Sequence, residues 1–222
     1  MARTNLKAII FGAPGAGKGT YGSRLKEKLG VEVIATGDIF RELIKENSEL
    51  GKKVKGYVDK GLLVPDEVVV EVLQHRLSQI PKSKGFILDG FPRTQEQAKA
   101  LEGITKIDVI ILIEVPDDII IERLSSRRIC KNCGEIYNIR FLRPKVEGVC
   151  DKCGGPLYQR SDDSAEVVKK RLKVYQQQSE PLLAYYKKKN VPFITSRTTT
   201  LDQDPAPVVD RLIEELKKRK LA

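Results

Sequence analysis

Short apolar runs alternate with longer amphipathic stretches along most of the chain. The apolar runs predict strands at residues 7–11, 31–35, 86–89, 109–115 and 191–195. Between and after them, apolar positions at helical spacing predict helices at residues 18–29, 38–46, 66–80, 94–101, 117–127, 163–189 and 207–219. This alternation is typical of βαβ units. We therefore expect an α/β fold of three layers, with a doubly wound parallel sheet of about five strands.

Two stretches interrupt this alternation. Residues 38–80 are almost all helical in pattern, where one crossover helix would suffice, which predicts a small helical lobe. Residues 128–160 are rich in cysteine, glycine and proline, with short β-prone pieces, which predicts a small inserted β domain. We expect a core domain of residues 1–35, 81–127 and 161–222, a helical lobe of residues 36–80 and a lid of residues 128–160.

Composition narrows the chemistry and the cellular setting. The apolar runs are far shorter than the roughly 18 residues that span a bilayer, and no stretch near the N-terminus resembles a secretion signal. We therefore expect a cytoplasmic protein. The single histidine, His75, excludes a site of several histidines and argues against a Ser/His/Asp triad. Lysine, arginine and carboxylates remain, and phosphoryl transfer relies on such groups.

A glycine-rich loop follows the first predicted strand and precedes the first helix. Its sequence from Gly12 to Thr20 is Gly-Ala-Pro-Gly-Ala-Gly-Lys-Gly-Thr. Backbone N–H groups of such a loop and the helix N-terminus bind phosphate, and Lys18 would reach the β and γ phosphates. An ordinary glycine-rich turn would not need lysine and threonine at these offsets. The loop predicts phosphate binding, and a kinase, a GTPase and another ATPase all stay open.

A second segment, residues 86–97, contains an apolar strand that ends in an acid. Asp89 lies where ligands of parallel sheets bind, so its carboxylate could hold Mg²⁺ or its waters. The turn of residues 90–92 then presents Arg93, whose planar guanidinium suits a phosphate. The alternative is that Asp89 caps a helix and Arg93 is a surface residue. The preceding phosphate loop favours the functional interpretation.

Four cysteines form two knuckles in the inserted β domain. Cys130 and Cys133 are separated from Cys150 and Cys153 by sixteen residues, and a glycine follows each pair. Paired knuckles favour a tetrahedral zinc site, and four thiolates would make it structural. Disulfides are the main alternative, although a reducing compartment argues against them. Buried free thiols are a third possibility.

Several motifs in register make the chain similar to the adenylate kinase family over essentially its full length. They are the loop of residues 12–20, Thr36-Gly37-Asp38 with Arg41, residues 61–64, residues 89–94 with Gln97, and the arginines around the lid. The resemblance implies reversible transfer from ATP to AMP, giving two ADP, with Mg²⁺ bound to ATP and Zn²⁺ in the lid. Its catalytic residues would be Lys18, Asp89, Arg93, Arg127, Arg160 and Arg171.

The resemblance also implies two nucleotide sites. The ATP site would comprise Gly15, Ala16, Gly17, Lys18, Gly19, Thr20, Arg123, Arg127, Ile136, Tyr137 and Gln203. Within it, Arg123 would pack on the adenine, opposite Phe141. The AMP site would comprise Thr36, Arg41, Leu62, Leu63, Val64, Gly90, Phe91, Pro92, Arg93, Gln97, Arg160 and Arg171.

Three further expectations concern partners and charge. We expect a monomer with no nucleic-acid or membrane partner, in which the net charge of +10 favours solubility and anionic nucleotides. The rivals are a kinase for another monophosphate or using GTP, and a zinc-ribbon nucleic-acid-binding protein. Asp162 and Asp163 precede a predicted helix, and we expect them to cap it; the alternative is that they pair with lid arginines.

Overall fold

The computed structural model describes residues 4–81 and 83–222. In chain order its first elements are β1 (Lys7–Phe11), α1 (Lys18–Leu29), β2 (Glu32–Ala35), α2 (Thr36–Lys45), α3 (Glu49–Asp59), α4 (Asp66–Ser78), β3 (Phe86–Asp89), α5 (Gln95–Ile104), β4 (Val109–Glu114) and α6 (Asp117–Ser125). These are followed by β5 (Arg127–Cys130), β6 (Ile136–Asn138), β7 (Leu157–Tyr158), α7 (Ala165–Val174), α8 (Leu182–Lys188), β8 (Phe193–Arg197) and α9 (Pro205–Lys218).

The central sheet has five parallel strands in the order β2-β3-β1-β4-β8. The three inner strands, β3, β1 and β4, are mostly buried on both faces because helices cover both. Ile9 and Phe11 of β1 belong to the core beneath α4, α5 and α8. Ala8 and Ile10, which point to the other face, pack in the core with residues of α1 and α9. The doubly wound architecture predicted from the sequence is confirmed.

Two stretches of the chain depart from the alternation of strand and helix. Helices α2, α3 and α4 follow one another between β2 and β3. In the inserted segment, β5, β6 and β7 form an antiparallel sheet in the order β6-β5-β7. These two parts are called the helical lobe and the lid below. Helix α2 follows β2 directly at the carboxyl edge of the central sheet, where β1 and β3 also end.

The prediction of one long helix at residues 163–189 is wrong, because the segment is divided into several elements. A 3₁₀ turn (Ser161–Asp163) precedes α7, and a π-helical turn (Tyr175–Ser179) separates α7 from α8. Pro181, which lacks a backbone N–H, lies at the break. Arg127, predicted to end a helix, instead begins β5, because α6 ends at Ser125. Within the described part of the chain, no helix combines the length and apolarity needed to cross a membrane.

Candidate active site

The glycine-rich loop wraps around the space above β1. Gly15 and Gly17 have φ values of 85° and 95°, in the left-handed region that favours glycine. A Cβ atom at Gly12 would lie 2.4 Å from the Ile113 carbonyl oxygen, so the loop can approach β4 only without a side chain there. Lys18 begins α1, and its Nζ donates to the carbonyl oxygens of Gly12 and Ala13, each at 2.8 Å. Its ammonium therefore lies inside the loop.

Lys18 lies within a cluster of charged side chains. Burial lowers the pKa of Lys18 to about 8; Asp89 opposes this shift, whereas the positive charges of Arg93, Arg171 and Arg127 add to it. Burial also lowers the pKa of Arg93 to about 10, with Arg171 adding to the shift and Asp89 opposing it. These cations repel one another in a partly desolvated cleft, so an anion that binds among them would relieve the repulsion.

Asp89 ends β3 beside the loop. Burial raises the pKa of its carboxyl group, although Lys18 and Arg93 oppose that shift. A Cβ atom at Gly19 would lie 3.9 Å from Asp89 Oδ2, which places the carboxylate against the start of α1. Within residues 4–81 and 83–222, the Asp89 carboxylate accepts no hydrogen bond and the Thr20 hydroxyl donates none. Uncommitted oxygens of this kind suit Mg²⁺.

On the other side of Asp89, α2 and the turn that follows β3 bring polar groups together. Thr36, at the start of α2, donates from Oγ1 to the Gly90 carbonyl oxygen at 2.9 Å. Arg93 donates from Nε to the same carbonyl at 2.7 Å. One turn into α2, Arg41 Nη2 lies 2.5 Å from Asp38 Oδ1. Phe91 and Pro92, joined by a cis peptide bond, are buried beneath this cluster.

The predicted adenine residue of the AMP site is buried. Gln97 is 1% exposed; its Oε1 accepts from the Arg93 backbone N–H, and its Nε2 donates to Asp66 Oδ1, both at 2.7 Å. The predicted backbone contacts, Leu62 to Val64, connect α3 to α4; Val64 is buried and Leu62 is exposed. Asp66 was missed because its sequence position indicates only the start of a helix.

The lid arginines pair with acids at the base of the lid. Arg127 binds Asp163 through two hydrogen bonds, and Asp163 is fully buried. Arg171 lies 3.0 Å from Asp162 and 3.4 Å from Asp163. The expectation that Asp162 and Asp163 cap the next helix is wrong, because Ser164 accepts the capping bond from Val167. The structure instead shows the alternative, in which the two acids form ion pairs with arginines that flank the lid.

Arg160 connects the lid to the helical lobe. Its Nη2 lies 3.5 Å from Asp38 Oδ1, the same oxygen that Arg41 contacts. Burial lowers the pKa of Arg160 to about 10, and the positive charges of Arg41 and Arg127 add to that shift. The structure therefore brings Arg160 beside Arg41 at the start of the helical lobe.

The predicted adenine side of the ATP site includes Arg123, Phe141 and Gln203. Arg123 donates from Nη2 to the Thr200 carbonyl oxygen at 2.7 Å and from Nε to that of Leu201 at 3.2 Å. Gln203 is half-buried two residues further on. Phe141 is 38% exposed on the lid. These two hydrogen bonds hold Arg123 against the loop before Gln203.

The four cysteine sulfurs form one cluster, with every pair within 4.8 Å. Cys130 and Cys153 lie 3.4 Å apart, and Cys133 and Cys150 lie 3.6 Å apart. Four thiolates at about 2.3 Å from a tetrahedral zinc ion lie about 3.8 Å from one another, so the cluster fits such an ion. These separations also exceed the roughly 2.05 Å of a disulfide.

The surroundings lower the pKa of two thiols of the cluster, Cys130 and Cys150, whereas burial and the neighbouring sulfurs raise the pKa of the other two, Cys133 and Cys153. Burial raises the pKa of the Cys130 thiol, but backbone N–H groups of Cys133 and Asn132 outweigh it and hold that pKa below its usual value. Tyr137 of β6, beside Ile136, places its hydroxyl 3.4 Å from the Cys150 sulfur and accepts from the Asp151 backbone N–H at 2.8 Å. The ring of Tyr137 thus closes one side of the cluster.

Comparison with known proteins agrees with this geometry. The family model described as adenylate kinase matches residues 10–191. An adenylate kinase of Caldicellulosiruptor saccharolyticus is 55% identical over 191 residues, covering 84% of this chain and 89% of that protein. Those of Archaeoglobus fulgidus and Thermosipho melanesiensis are 48% and 49% identical over 202 residues, covering 89% of this chain and 93% and 94% of theirs. The chain therefore belongs to the adenylate kinase family, and is a nucleoside monophosphate kinase.

Proposed function

We propose that the chain transfers a phosphoryl group reversibly from ATP to AMP in the cleft at the carboxyl edge of the central sheet. One observation carries the proposal: Lys18 is buried beside Arg93, Arg171 and Arg127, and burial together with these positive charges lowers its pKa to about 8. Such a cluster is unfavourable without an anion and favourable with two polyphosphates. One phosphate group bound on each side of Asp89 would balance the positive charge of this cluster.

The glycine-rich loop holds the donor. Backbone N–H groups of residues 15–20 point toward the bound phosphates, and the N-terminus of α1 adds its positive dipole. Lys18 exchanges its two carbonyl contacts in the loop for oxygens of the β and γ phosphates. Arg123, Ile136, Tyr137 and Gln203 surround the adenine and ribose of ATP, and Arg127 reaches its phosphates.

The helical lobe and the Asp89 turn hold the acceptor. Arg41 and Arg93 grip the AMP phosphate, because a guanidinium can bind it through two parallel hydrogen bonds. Thr36, Gly90 and the backbone of residues 62–64 line the nucleoside pocket, and Gln97 meets the adenine edge. Arg160 and Arg171 bridge acceptor and transferring group from the lid side.

The reaction is a direct in-line transfer. An AMP phosphate oxygen attacks the γ phosphorus of ATP, the bond to the β–γ bridging oxygen breaks, and ADP leaves on each side. The attacking oxygen is already anionic, so no general base is required. Asp89 and Thr20 would hold Mg²⁺ beside the donor phosphates, where the ion would supply neutralising positive charge. The arginines stabilise the equatorial oxygens and displace water from the cleft.

The cysteine cluster holds a structural zinc ion. Four thiolates complete a tetrahedral shell, so no position is left for a substrate. The lid has few buried apolar side chains of its own, with Cys130, Tyr137 and Cys150 forming its core cluster. A metal would therefore supply much of its folding free energy. Zinc acts on lid stability and not on the transfer itself.

Replacing Lys18 with methionine tests the donor assignment. Loss of the ammonium should lower kcat by about 10²-fold to 10³-fold, as removal of a preorganised charge from a transition state does. Lys26→Met is the matched control: Lys26 lies on the same helix, is exposed and pairs only with Glu32 at the surface. Near-normal transfer by a folded Lys18→Met enzyme would overturn the role of Lys18.

A matrix of nucleoside triphosphates against monophosphates tests the substrates, with diphosphate formation as the measurement. ATP with AMP should give the highest kcat/KM. Strong, salt-sensitive RNA binding without nucleotide turnover would instead favour the zinc-ribbon alternative. A monomeric state, a cytoplasmic location and the lack of membrane partners stay predictions, the first of them open to sedimentation analysis.

A further inference from the structure

The amide of Gln97 is held from both ends by groups of fixed polarity. The Arg93 backbone N–H donates to its Oε1, and Asp66 Oδ1 accepts from its Nε2, both at 2.7 Å. A backbone N–H can only donate, and a carboxylate can only accept. The amide can therefore satisfy both partners in one orientation only. A 180° flip would set oxygen against carboxylate and N–H against N–H.

Asp66 is itself held in place. It is the first residue of α4, where a negative charge is stabilised by the helix dipole. Its second oxygen, Oδ2, accepts a hydrogen bond from Thr94 Oγ1 at 2.8 Å. Thr94 is in turn the N-cap of α5, the helix that carries Gln97. The carboxylate therefore spans the starts of two helices, with its plane fixed by both.

These two contacts use half of the hydrogen-bonding positions of the Gln97 amide. A primary amide offers two acceptor and two donor positions, and the protein uses one of each. One lone pair on Oε1 and one N–H on Nε2 remain in the plane of the same amide. Adenine presents a donor at N6 beside an acceptor at N1, which matches this pair. A 6-oxopurine reverses both groups, with an acceptor at O6 and a donor at N1, and would match only the flipped amide.

We propose that Asp66 is a specificity-determining residue that fixes the Gln97 amide in the orientation that accepts adenine and rejects 6-oxopurines. This proposal rests on the proposed function, in which Gln97 meets the base of the monophosphate. Asp66 acts through Gln97 and is a positioning residue. Discrimination then arises because a 6-oxopurine leaves buried donors and acceptors mismatched.

The test compares AMP with inosine 5′-monophosphate as acceptor in the full-length enzyme with MgATP. Asp66→Ala removes the acceptor for Gln97 Nε2. We expect KM for AMP to rise about tenfold, kcat at saturating AMP to stay within about twofold, and the ratio of kcat/KM for AMP to that for IMP to fall about tenfold. Parallel changes for AMP and IMP, or a loss confined to kcat, would overturn the proposal.

Three companion variants separate positioning from general damage. Glu67→Ala removes an exposed negative charge from the same first helical turn and should leave the AMP-to-IMP ratio unchanged. Asp66→Asn keeps a carbonyl acceptor for Gln97 and should restore most of the ratio; an asparagine variant as indiscriminate as alanine would contradict the proposed geometry. If the alanine variant fails to fold, Asp66→Ser takes its place, since a short hydroxyl cannot reach Gln97 but suits a helix start.

Gln97→Ala separates the proposed contact of Gln97 with the base from the proposed positioning role of Asp66. In that background, Asp66→Ala should change the AMP-to-IMP ratio by less than about twofold, because the group that Asp66 positions is gone. A further tenfold fall would show that Asp66 acts elsewhere and would overturn its proposed role. If Gln97→Ala alone leaves the ratio unchanged, the assignment of Gln97 to the base fails, whatever Asp66 does.

Discussion

Arg127 and Asp163 join the first strand of the lid to the turn that follows it, through parallel hydrogen bonds of 2.8 and 2.5 Å. Arg127 begins β5, and Asp163 ends the 3₁₀ turn before α7, so the pair closes the base of the lid. Asp163 is fully buried, whereas the Arg127 side chain is 15% exposed. A buried acid of this kind is strongly coupled to its partner.

Replacing Asp163 with alanine should therefore destabilise the protein by about 3 kcal/mol, because the Arg127 guanidinium is left without its buried counter-charge, while Arg171 keeps its contact with Asp162. Urea denaturation measures the free energy of unfolding. Asp204→Ala is the matched control: Asp204 is an exposed acid that caps α9, and its loss should cost about 1 kcal/mol. An equal loss of unfolding free energy in the two variants would contradict the expected stabilisation by the Arg127–Asp163 pair.

The lowered pKa of Lys18 predicts a basic limb in the pH profile. Burial brings that pKa to about 8, so the free enzyme loses the ammonium as pH rises through that value. Because only the charged form attracts phosphate, kcat/KM for MgATP should be level below about pH 7 and decline above about pH 8. Bound phosphate favours the ammonium, so kcat should decline only at higher pH.

Lys18→Arg supplies the comparison for that profile. An arginine keeps its charge far above pH 8, so the basic limb in kcat/KM should move upward or vanish, even if the absolute rate is lower. A limb that stays at the same pH in the arginine variant would assign the titration to another group.

Metal removal should destabilise the lid before it affects chemistry. The chain has four cysteines, all in the cluster, so metal analysis should find one zinc ion per chain and a thiol reagent should react slowly until a chelator is added. Chelation should lower the Tm, while kcat at a temperature well below that Tm falls much less. A metal-free sample with four unbridged thiols and a folded lid would contradict the zinc proposal.

The sheet and the phosphate loop could be predicted because their signals are local. Each core strand is a short apolar run, and the loop before α1 places glycines where the backbone has positive φ. The break at Pro181 had a local signal too, since a proline inside a helical pattern marks an interruption. The prediction nevertheless continued the helix through Pro181, because the apolar positions on both sides of it keep helical spacing.

Pairings between distant side chains had no such signal. Gln97 and Asp66 are 31 residues apart, and Arg127 and Asp163 are 36 apart. Asp162, Asp163 and Ser164 can all cap a helix by residue type. The choice among them depends on tertiary contacts: the two acids are drawn into ion pairs with arginines, which leaves Ser164 to cap α7.

Two glycines of α3 should respond oppositely to alanine. A Cβ atom at Gly51 would lie 2.1 Å from the Leu43 carbonyl oxygen, so α3 packs against the end of α2 only without a side chain there. At Gly56, on the same helix, a Cβ atom would meet nothing within 4 Å. Gly51→Ala should therefore destabilise the protein by about 2 kcal/mol or more, because the two helices must separate.

Gly56→Ala should stabilise the protein by about 0.5 to 1 kcal/mol, since alanine has the higher helix propensity and loses less backbone entropy on folding. Urea denaturation of both variants gives the comparison. Because α2 carries Arg41 and begins at Thr36, Gly51→Ala should also raise KM for AMP, whereas KM for ATP should change little. An alanine at position 51 tolerated as well as one at position 56 would mean that the α2–α3 contact is looser than the backbone spacing requires.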